Sequence, residues 1–313
     1  MTDLLCIGLT TLDILGRPIE HIPDAEGTTL IEEIEVVPAG TAGGAAMVAA
    51  RLGVSVALAS AIGDDRKGRI IRAELAAAGV DDRLLKTLPG VPSSATILPI
   101  DRAGRRPNFH ALGASMMMTI DEELHAAAAA ARVVHWGGIG APGLDGGPGA
   151  ALLAAARAAG AITTCDLIVT SPAVVDELKR VLPHVTWFLP SAAEALTLTG
   201  ASTVEAAAEV FLGWGARHCL VKDGANGVVM VLEPGSARRF PAFDVVPVDT
   251  TSCGDGFCAG FVAGLMRGLT VKAAVRLGAA TGALVAGGLG TLGKVQSYAA
   301  TLAASETMAE RAA

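Results

Sequence analysis

The residues best suited to chemistry lie near the C-terminal end, where Asp255 stands between Gly254 and Gly256. A β-like run at 243–248 precedes them, and small and apolar residues that indicate a helix follow at about 256–267. The first N–H groups of a helix have no partner inside it, and the helix dipole adds positive potential there. Because such helix ends bind phosphate well, the sequence predicts a phosphate site with a carboxylate beside it.

Two interpretations of Asp255 follow from this position. A carboxylate beside a phosphate is electrostatically unfavourable unless it has a chemical task. One such task is to take a proton from a hydroxyl group that attacks the phosphorus. In the other interpretation, Asp255 caps the helix and has no further role. The segment by itself leaves both interpretations open.

Strands and helices alternate along most of the chain, and they must position this segment. Predicted helices at 122–131 and 149–159 precede apolar strands at 133–136 and 162–165, and a further strand is predicted at 218–222. Uniformly apolar strands in this alternation indicate a parallel sheet with helices on both faces. Ligands bind at the carboxyl ends of such strands. The acidic residues at or just beyond predicted strand ends are Asp13, Asp64, Asp166, Glu194 and Asp255.

The composition narrows the class of protein. The 313 residues are 51% hydrophobic and 18% charged, which is ample for a large core. A formal net charge of −7 with scattered charges argues against nucleic-acid binding. The N-terminus has no basic region before its apolar run, and the longest uncharged run, 277–293, is too short and too weakly apolar for a membrane span. We therefore expect a cytoplasmic protein that binds neither nucleic acid nor membrane.

The five cysteines are widely spaced, and no two form a Cys-x-x-Cys pair. Four of them lie in apolar or small-residue surroundings, which predicts buried free thiols in a reducing compartment. Cys253 differs because it stands at the predicted helix start, where a thiol is expected to have a lowered pKa and to be reactive.

Residues 249–257 read Asp-Thr-Thr-Ser-Cys-Gly-Asp-Gly-Phe. This segment resembles the signature of the ribokinase-like (pfkB) carbohydrate kinases, in which Gly and Ala usually stand at the positions of Ser252 and Cys253. The glycine turn at 40–44, followed by residues 49–53, resembles the family's first signature, so the resemblance covers essentially the whole chain. It implies an α/β fold, a three-layer sandwich with a mostly parallel central sheet between helices. It also implies one kinase domain over 1–313, with a small β-sheet lid formed by about 14–37 and 94–112.

The resemblance also implies roles for individual residues. Asp255 is implied as the catalytic base, and the backbone amides of Ser252, Cys253 and Gly254 as an anion hole for the transferred phosphoryl group. The residues implied on the sugar side are Asp13, Gly43, Gly44 and Phe109, where Gly44 replaces an asparagine usual in the family. The residues implied on the nucleotide side are Ser191, Lys222, Gly224 and Gly227.

Metal ions follow from the same resemblance. Glu194 matches a glutamate that orients water around Mg²⁺, a hard cation that needs few direct protein ligands in a kinase site. Asp249 and Thr251 match positions at which many members bind a monovalent cation, K⁺. Some relatives form homodimers through the lid, so the lid is also the predicted dimer interface.

The implied function is transfer of the γ-phosphoryl group of ATP to a hydroxymethyl group of a small sugar or polyol. Two alternatives remain, a nucleoside kinase of the same family and a catalytically weak sugar-binding or regulatory relative. An NAD-linked oxidoreductase is a third, because residues 138–143 fit the pattern G-x-G-x-x-G after a predicted strand. However, prolines and glycines at 142–148 delay the next helix, whereas a dinucleotide site needs the helix to begin inside the motif.

Overall fold

The structure, a computed structural model, describes residues 2–167 and 171–311. A nine-stranded sheet forms its centre, and a separate four-stranded sheet lies beside it. The strands in chain order are β1 (Leu4–Gly8), β2 (Thr11–Arg17), β3 (Glu33–Ala39), β4 (Val56–Gly63), β5 (Leu85–Leu88), β6 (Ala95–Pro99), β7 (Phe109–Ala111), β8 (Val133–Gly137), β9 (Ile162–Cys165), β10 (Trp187–Phe188), β11 (His218–Lys222), β12 (Val228–Val231) and β13 (Arg238–Phe240).

The central sheet has the order β13-β12-β11-β10-β9-β8-β1-β4-β5. The strands from β5 to β11 in this order run parallel, and β12 and β13 pair antiparallel at one edge. Side chains of β1 alternate between two cores, because Leu4 and Cys6 pack on one face and Leu5 and Ile7 on the other. This alternation is what a strand covered on both faces requires.

Helices cover both faces of the central sheet. They are α1 (Thr41–Arg51), α2 (Arg66–Ala77), α3 (Glu122–Ala130), α4 (Pro148–Ala158), α5 (Val175–Val181), α6 (Ala192–Thr199), α7 (Val204–Gly213), α8 (Cys253–Met266), α9 (Val271–Ala286) and α10 (Tyr298–Thr307). The helices α3 to α7 pack on one face, and α1, α2, α8, α9 and α10 form the other layer. The predicted three-layer arrangement is therefore confirmed.

The start of α8 differs from the prediction, because this helix begins at Cys253 rather than near Gly256. The chain enters it through Ser252, whose φ of 53° is left-handed. Residues 243–248 do not form the predicted strand, although Phe243 makes an isolated bridge with Glu310. The small residues of α8 allow α9 to approach closely, since a Cβ on Gly260 would collide with Thr281.

The small sheet has the order β3-β2-β6-β7, with β2 and β6 parallel in its middle. It is built from the two segments predicted to form the lid. Asp13 was expected at or just beyond the end of the first strand, but it lies inside β2. The reason is that only Leu9 and Thr10 separate β1 from the next strand.

Residues 138–143 lie between β8, which ends at Gly137, and α4, which begins at Pro148. The helix therefore starts well after the glycine motif, as the prolines and glycines predicted, and a dinucleotide site is not formed in the usual way. Within residues 2–167 and 171–311, none of the helices has the length and apolar character needed to cross a membrane. All five cysteines lie in the described part of the chain, and each is a free thiol.

Candidate active site

A cavity of about 540 Å³ lies where β9 and β11 end and α8 begins. Predicted site residues from distant parts of the chain line it. They are Ser191, Glu194, Lys222, Gly224, Gly227, Ser252, Cys253, Gly254 and Asp255. The carboxyl ends of parallel strands meet at one edge of a sheet, which explains why these residues come together.

The first turn of α8 forms one wall of the cavity. Ser252 is the N-cap, and the first intrahelical bond at this end runs from Gly256 N to Ser252 O at 2.8 Å. The amides of Cys253, Gly254 and Asp255 therefore lie outside the helix's own hydrogen-bond pattern. Asp255 is not the N-cap, so the interpretation of this residue as only a helix cap loses its structural basis.

Asp255 is half-buried at the cavity wall, and its surroundings favour the neutral acid. Burial and the nearby Asp166 carboxylate raise the pKa of Asp255 to about 7, with a further contribution from Asp13. The charge of Lys222 and a hydrogen bond from the Ser252 side chain oppose this rise. A pKa close to the working pH suits a general base, because the group is then both available and basic enough.

Lys222 and Asp166 form a buried ion pair beneath the first turn of α8. Lys222 Nζ lies 2.6 Å from Asp166 Oδ2, and a Cβ on Gly254 would lie 3.1 Å from the same Nζ. Burial alone would lower the pKa of Lys222, but Asp166 and the other acidic neighbours raise it overall. The sequence indicated both residues as site candidates but did not predict their ion pair, because no local pattern connects positions so far apart.

Ser191 and Glu194 form a capping box at the start of α6. Ser191 N donates to Glu194 Oε2 at 2.7 Å, and Glu194 N donates to Ser191 Oγ at 3.3 Å. An isolated bridge pairs Ser191 with Lys222, which brings the capping box to the cavity wall. Burial and the charge of Asp166 raise the pKa of Glu194. The Glu194 carboxylate is thus held in a fixed orientation by its own helix.

Asp249 stabilises the loop that leads into α8. Its Oδ1 accepts hydrogen bonds from Thr251 N at 2.8 Å and Thr251 Oγ1 at 2.6 Å, and its Oδ2 accepts one from Gly290 N at 3.0 Å. Asp249 is fully buried. These bonds connect the loop before α8 to the loop after α9, so they set the position of the α8 N-terminus.

Gly44 is not among the residues that line the cavity, but it lies directly against Asp255. A Cβ on Gly44 would lie 2.6 Å from Asp255 Oδ2 and 3.0 Å from Ser252 Oγ. Gly43 is placed differently, because a Cβ there would lie 2.8 Å from Thr10 Oγ1. The structure therefore brings Gly44 to the carboxylate and packs Gly43 against the connection between β1 and β2.

Asp13 lies on the face of the small sheet that the register shares with Thr96 and His110. Burial raises the pKa of Asp13 to about 6, and hydrogen bonding to Thr96 partly offsets this. Within the described chain, Asp13 Oδ1 is buried without a hydrogen-bond partner. A buried oxygen without a partner is unfavourable, so it fits a site that accepts a hydroxyl group from a ligand.

The structure does not bring Phe109 to the wall of the cavity, so its contact with a substrate stays a prediction. Phe109 pairs with Ile97 on the opposite face of the small sheet, its side chain is 56% exposed, and it does not line the cavity. Successive residues of a strand point to opposite faces, so His110 lies on the face of Asp13 instead. Thr96 Oγ1 and His110 Nδ1 are 3.0 Å apart.

The sequence predicted a lowered pKa and a reactive thiol at Cys253, and this prediction is wrong. Burial and the Asp249 carboxylate raise the pKa of Cys253 to about 12, although Arg106 acts in the opposite direction. The helix start does not lower the pKa here because the side chain is shielded from water and lies near carboxylates. Cys253 is therefore a protonated thiol at neutral pH.

Gly224 and Gly227 form the turn after β11 and line the far end of the cavity. Both have positive φ, of 53° and 89°, and a Cβ on Gly227 would collide with the Phe240 carbonyl. Arg106 and Arg311 also line the cavity. The sequence suggested that Arg102, Arg105 and Arg106 on the predicted hairpin turn could reach a substrate anion, with solvated surface arginines as the alternative, and it did not indicate Arg311. Only long-range packing brings Arg106 to the cavity, because it contacts Thr250, 144 positions away.

Comparison with known proteins supports the resemblance to the pfkB carbohydrate kinases. The model of the family described as pfkB family carbohydrate kinase matches residues 1–296. The chain is 27% identical to ribokinase of Haemophilus influenzae over 292 residues, which cover 88% of this chain and 91% of that protein. It is 37% identical to cytidine kinase of Thermococcus kodakarensis over 106 residues, or 33% of this chain and 37% of that protein.

The fold agrees with a solved structure as well. Ribokinase of Arabidopsis thaliana, solved in complex with ribose and ATP, superimposes with a TM-score of 0.81 at 20% identity. The match covers 98% of this chain and 99% of that chain. The predicted ribokinase-like fold is confirmed, and the chain belongs to the pfkB family of carbohydrate kinases as an ATP-dependent phosphotransferase.

Proposed function

We propose that this protein transfers the γ-phosphoryl group of ATP to a hydroxymethyl group of a small sugar or polyol. The observation that carries the proposal is Asp255, a half-buried carboxylate that lines the cavity from the first turn of α8 and has a pKa of about 7. It lies beside backbone amides that are free to bind an anion. Phosphoryl transfer to a hydroxyl group needs a base that removes the proton and, next to it, an anion site that binds the transferred group.

In the proposed reaction, Asp255 accepts the proton of the hydroxymethyl group as its oxygen attacks the γ-phosphorus. The backbone amides of Ser252, Cys253 and Gly254 bind the oxygens of the transferred phosphoryl group. They stabilise charge that is largest in the transition state. Asp13, with its unpartnered buried Oδ1, binds acceptor hydroxyls, and the lack of a side chain at Gly44 leaves room for the Asp255 carboxylate. The bond to ADP breaks, and the proton remains on Asp255 until the products leave.

The nucleotide side is proposed to extend from Lys222 and Ser191 to the turn at Gly224 and Gly227. Positive φ at both glycines lets the backbone approach a ligand closely. Mg²⁺ supplies charge neutralisation for the phosphates when it is bound. Glu194, a fixed carboxylate on the cavity wall, fits the hard oxygen ligands that this ion prefers and would hold it through water.

We also propose a K⁺ site beside Asp249 and Thr251. Asp249 already accepts three hydrogen bonds, so a cation would share its carboxylate with these donors and hold the anion-hole loop more firmly. Turnover measured in potassium salts and in choline salts tests this site. Equal rates in both salts would contradict the proposed K⁺ site.

The small sheet is proposed to act as a lid that excludes water from the cavity, so that ATP is not hydrolysed. Its outer face carries exposed apolar side chains, Ile34, Ile97 and Phe109, at 65%, 56% and 56% exposure. This apolar face supports a homodimer formed through the two lids. Sedimentation equilibrium tests it, because Ile97→Asp should give a monomer, and a wild-type monomer would end the proposal. The free thiols support a reducing, cytoplasmic location.

A nucleoside acceptor is the second candidate. It is favoured by the local similarity to a protein named cytidine kinase. ATP turnover measured on a panel of sugars, polyols and nucleosides decides between the two acceptor classes. If none of these acceptors is phosphorylated although the protein binds ATP, the proposed function fails and a regulatory relative becomes the better interpretation.

The rate is expected to fall as the pH falls through about 7. Asp255 must be deprotonated to accept a proton, and its pKa in the free protein is about 7. Below that value kcat/KM should drop about tenfold per pH unit, because the deprotonated fraction does so. A pH profile between 5.5 and 8.5 measures this limb. A flat profile would show that Asp255 does not titrate in the step that limits the rate.

Gly44→Ala is expected to lower kcat strongly without unfolding the protein. The added methyl group would lie 2.6 Å from Asp255 Oδ2, so the carboxylate must turn away from its position. Misplacing a catalytic group by about 1 Å can reduce the rate about 100-fold. The matched control is Gly43→Ala, which crowds Thr10 rather than Asp255. Equal kcat in the two variants would contradict the position assigned to the acceptor.

A further inference from the structure

Arg106 connects the small sheet to the anion-hole loop. It lies in the loop between β6 and β7, and its Nε donates to Thr250 Oγ1 at 3.2 Å. Its Nη2 donates to Thr250 O at 3.4 Å. The side chain is 30% exposed and lines the same cavity as Asp255. The guanidinium group thus lies at the cavity wall, directly next to the proposed anion hole.

The neighbouring arginines of the same loop are used differently. Arg102 pairs with Glu32 at 3.0 Å, and Arg105 pairs with Asp101 at 2.6 Å. Both are more exposed than Arg106, at 68% and 81%. Their charges are balanced on the small sheet itself, so neither takes part in the cavity.

Arg106 has no carboxylate partner as close as those of Arg102 and Arg105. Both of its hydrogen bonds in the described chain go to neutral oxygens of Thr250, and its nearest carboxylate oxygen, Asp249 Oδ1, is 4.0 Å away. Asp249 is itself occupied by donors from Thr251 and Gly290. A guanidinium group has five N–H donors in a planar fork, so Arg106 retains the capacity to bind an anion.

The charge of Arg106 acts on two groups of the proposed site, the Asp13 carboxyl group and the Cys253 thiol. Burial raises the pKa of Asp13 and of Cys253, and the charge of Arg106 acts against this rise at each of them. Lys222, the cation whose charge acts on Asp255, is already paired with Asp166 at 2.6 Å. Among the cations of the described chain that line the cavity, Arg106 is therefore one that has no close carboxylate partner and that contacts the anion-hole loop.

We propose that Arg106 binds a phosphate oxygen in the ternary complex. The inference rests on the proposed kinase function and adds a ligand to it. The phosphate has two sources, an acceptor that already carries a phosphate group or the γ-phosphoryl group in transfer. The planar fork of arginine matches phosphate geometry, and charge-assisted bonds of this kind are stronger than neutral ones. Thr250 holds the guanidinium group at the cavity before the substrates bind.

The test compares Arg106→Gln with Arg105→Gln, a matched change in the same loop whose partner is on the small sheet. Glutamine keeps hydrogen-bonding groups and removes the charge. The acceptors are two matched pairs, ribose with ribose 1-phosphate and fructose with fructose 1-phosphate. In each pair the phosphate is distant from a free hydroxymethyl group. Initial rates give kcat and KM for every combination.

If the acceptor supplies the phosphate, Arg106→Gln should raise KM for the phosphorylated acceptors by about 10- to 100-fold and change the neutral ones little. If the γ-phosphoryl group supplies it, kcat should fall by a similar factor on every acceptor while KM stays constant. Arg106→Lys, which keeps the charge, should recover part of either loss. Both patterns support an anion site and identify its source.

The proposal is overturned if Arg106→Gln matches Arg105→Gln on all acceptors, or if only the melting temperature changes while kcat and KM of the folded protein persist. Failure of the proposed function is recognised separately. If no acceptor is phosphorylated by the wild type, the increase in melting temperature produced by inorganic phosphate still reports on Arg106. A smaller increase in melting temperature for Arg106→Gln than for Arg105→Gln would support an anion site at Arg106 even if the protein is not a kinase. Equal increases would contradict the anion site.

Discussion

Asp255→Asn is expected to lower kcat by about 10² to 10⁴, the usual contribution of general base catalysis. Asparagine has nearly the same shape as aspartate but cannot accept the proton of the attacking hydroxyl group. ATP binding should be unchanged or slightly tighter, because a negative charge near the phosphates is removed. Initial rates and a nucleotide titration measure both effects. Near-normal turnover in this variant would refute the role of Asp255 as the base.

The same variant should not be less stable, which separates a catalytic from a structural loss. The pKa of Asp255 is raised from 3.8 to about 7 in the folded protein. A raised pKa means that its contribution to stability is present at low pH and is lost as the pH rises through about 7. Asp255→Asn lacks this dependence, so its melting temperature should exceed that of the wild type at pH 8, with a smaller difference at pH 5. A lower melting temperature at pH 8 would show that the charged carboxylate stabilises the fold.

Gly254→Val is expected to abolish most activity while the protein stays folded. A Cβ at this position would lie 3.1 Å from Lys222 Nζ, and the ion pair with Asp166 prevents Lys222 from moving away freely. Valine must therefore displace the first turn of α8 and its amides. Losing one such donor costs about 2.7 to 4 kcal/mol of transition-state stabilisation, which corresponds to a loss of about 10² to 10³ in kcat.

Cys253→Ala is the control for this prediction. Within the described chain the Cys253 thiol makes one weak hydrogen bond, to Asp249 O at 3.9 Å, and the proposed anion hole uses the backbone N–H of this residue rather than its side chain. Turnover should therefore stay close to that of the wild type. If glycine at 254 served only to close a helix turn, Gly254→Val would lower the melting temperature and preserve kcat in the folded fraction. Loss of turnover in Cys253→Ala would instead mean that the thiol takes part in the reaction.

Local patterns in the sequence were sufficient for the elements whose stability depends on near neighbours. The strands β9 and β11 have the predicted bounds, Ile162–Cys165 and His218–Lys222, because short runs of β-branched and apolar residues favour strands. Residues 249–257 were enough to predict a nearby helix start, and its unpaired amides are a property of any helix start. The exact start at Cys253 was missed, since Ser252 adopts a left-handed conformation that favours glycine.

The tertiary structure decided which side chains meet. Phe109 and His110 are neighbours in sequence, and the pairing of β7 with β6 determines that His110 faces Asp13. The thiol of Cys253 was expected to ionise easily from its place at a helix start, but burial and the charge of Asp249 raise its pKa.

The charges at the reaction centre depend on the same long-range packing. Lys222 pairs with Asp166 across 56 positions, and Arg106 reaches Thr250 across 144. Each of these outcomes depends on strand register, burial or the distance between charges. These quantities exist only when remote segments pack together. The sequence by itself therefore determined the family and the class of fold, and the tertiary structure decided the electrostatics around the candidate site residues.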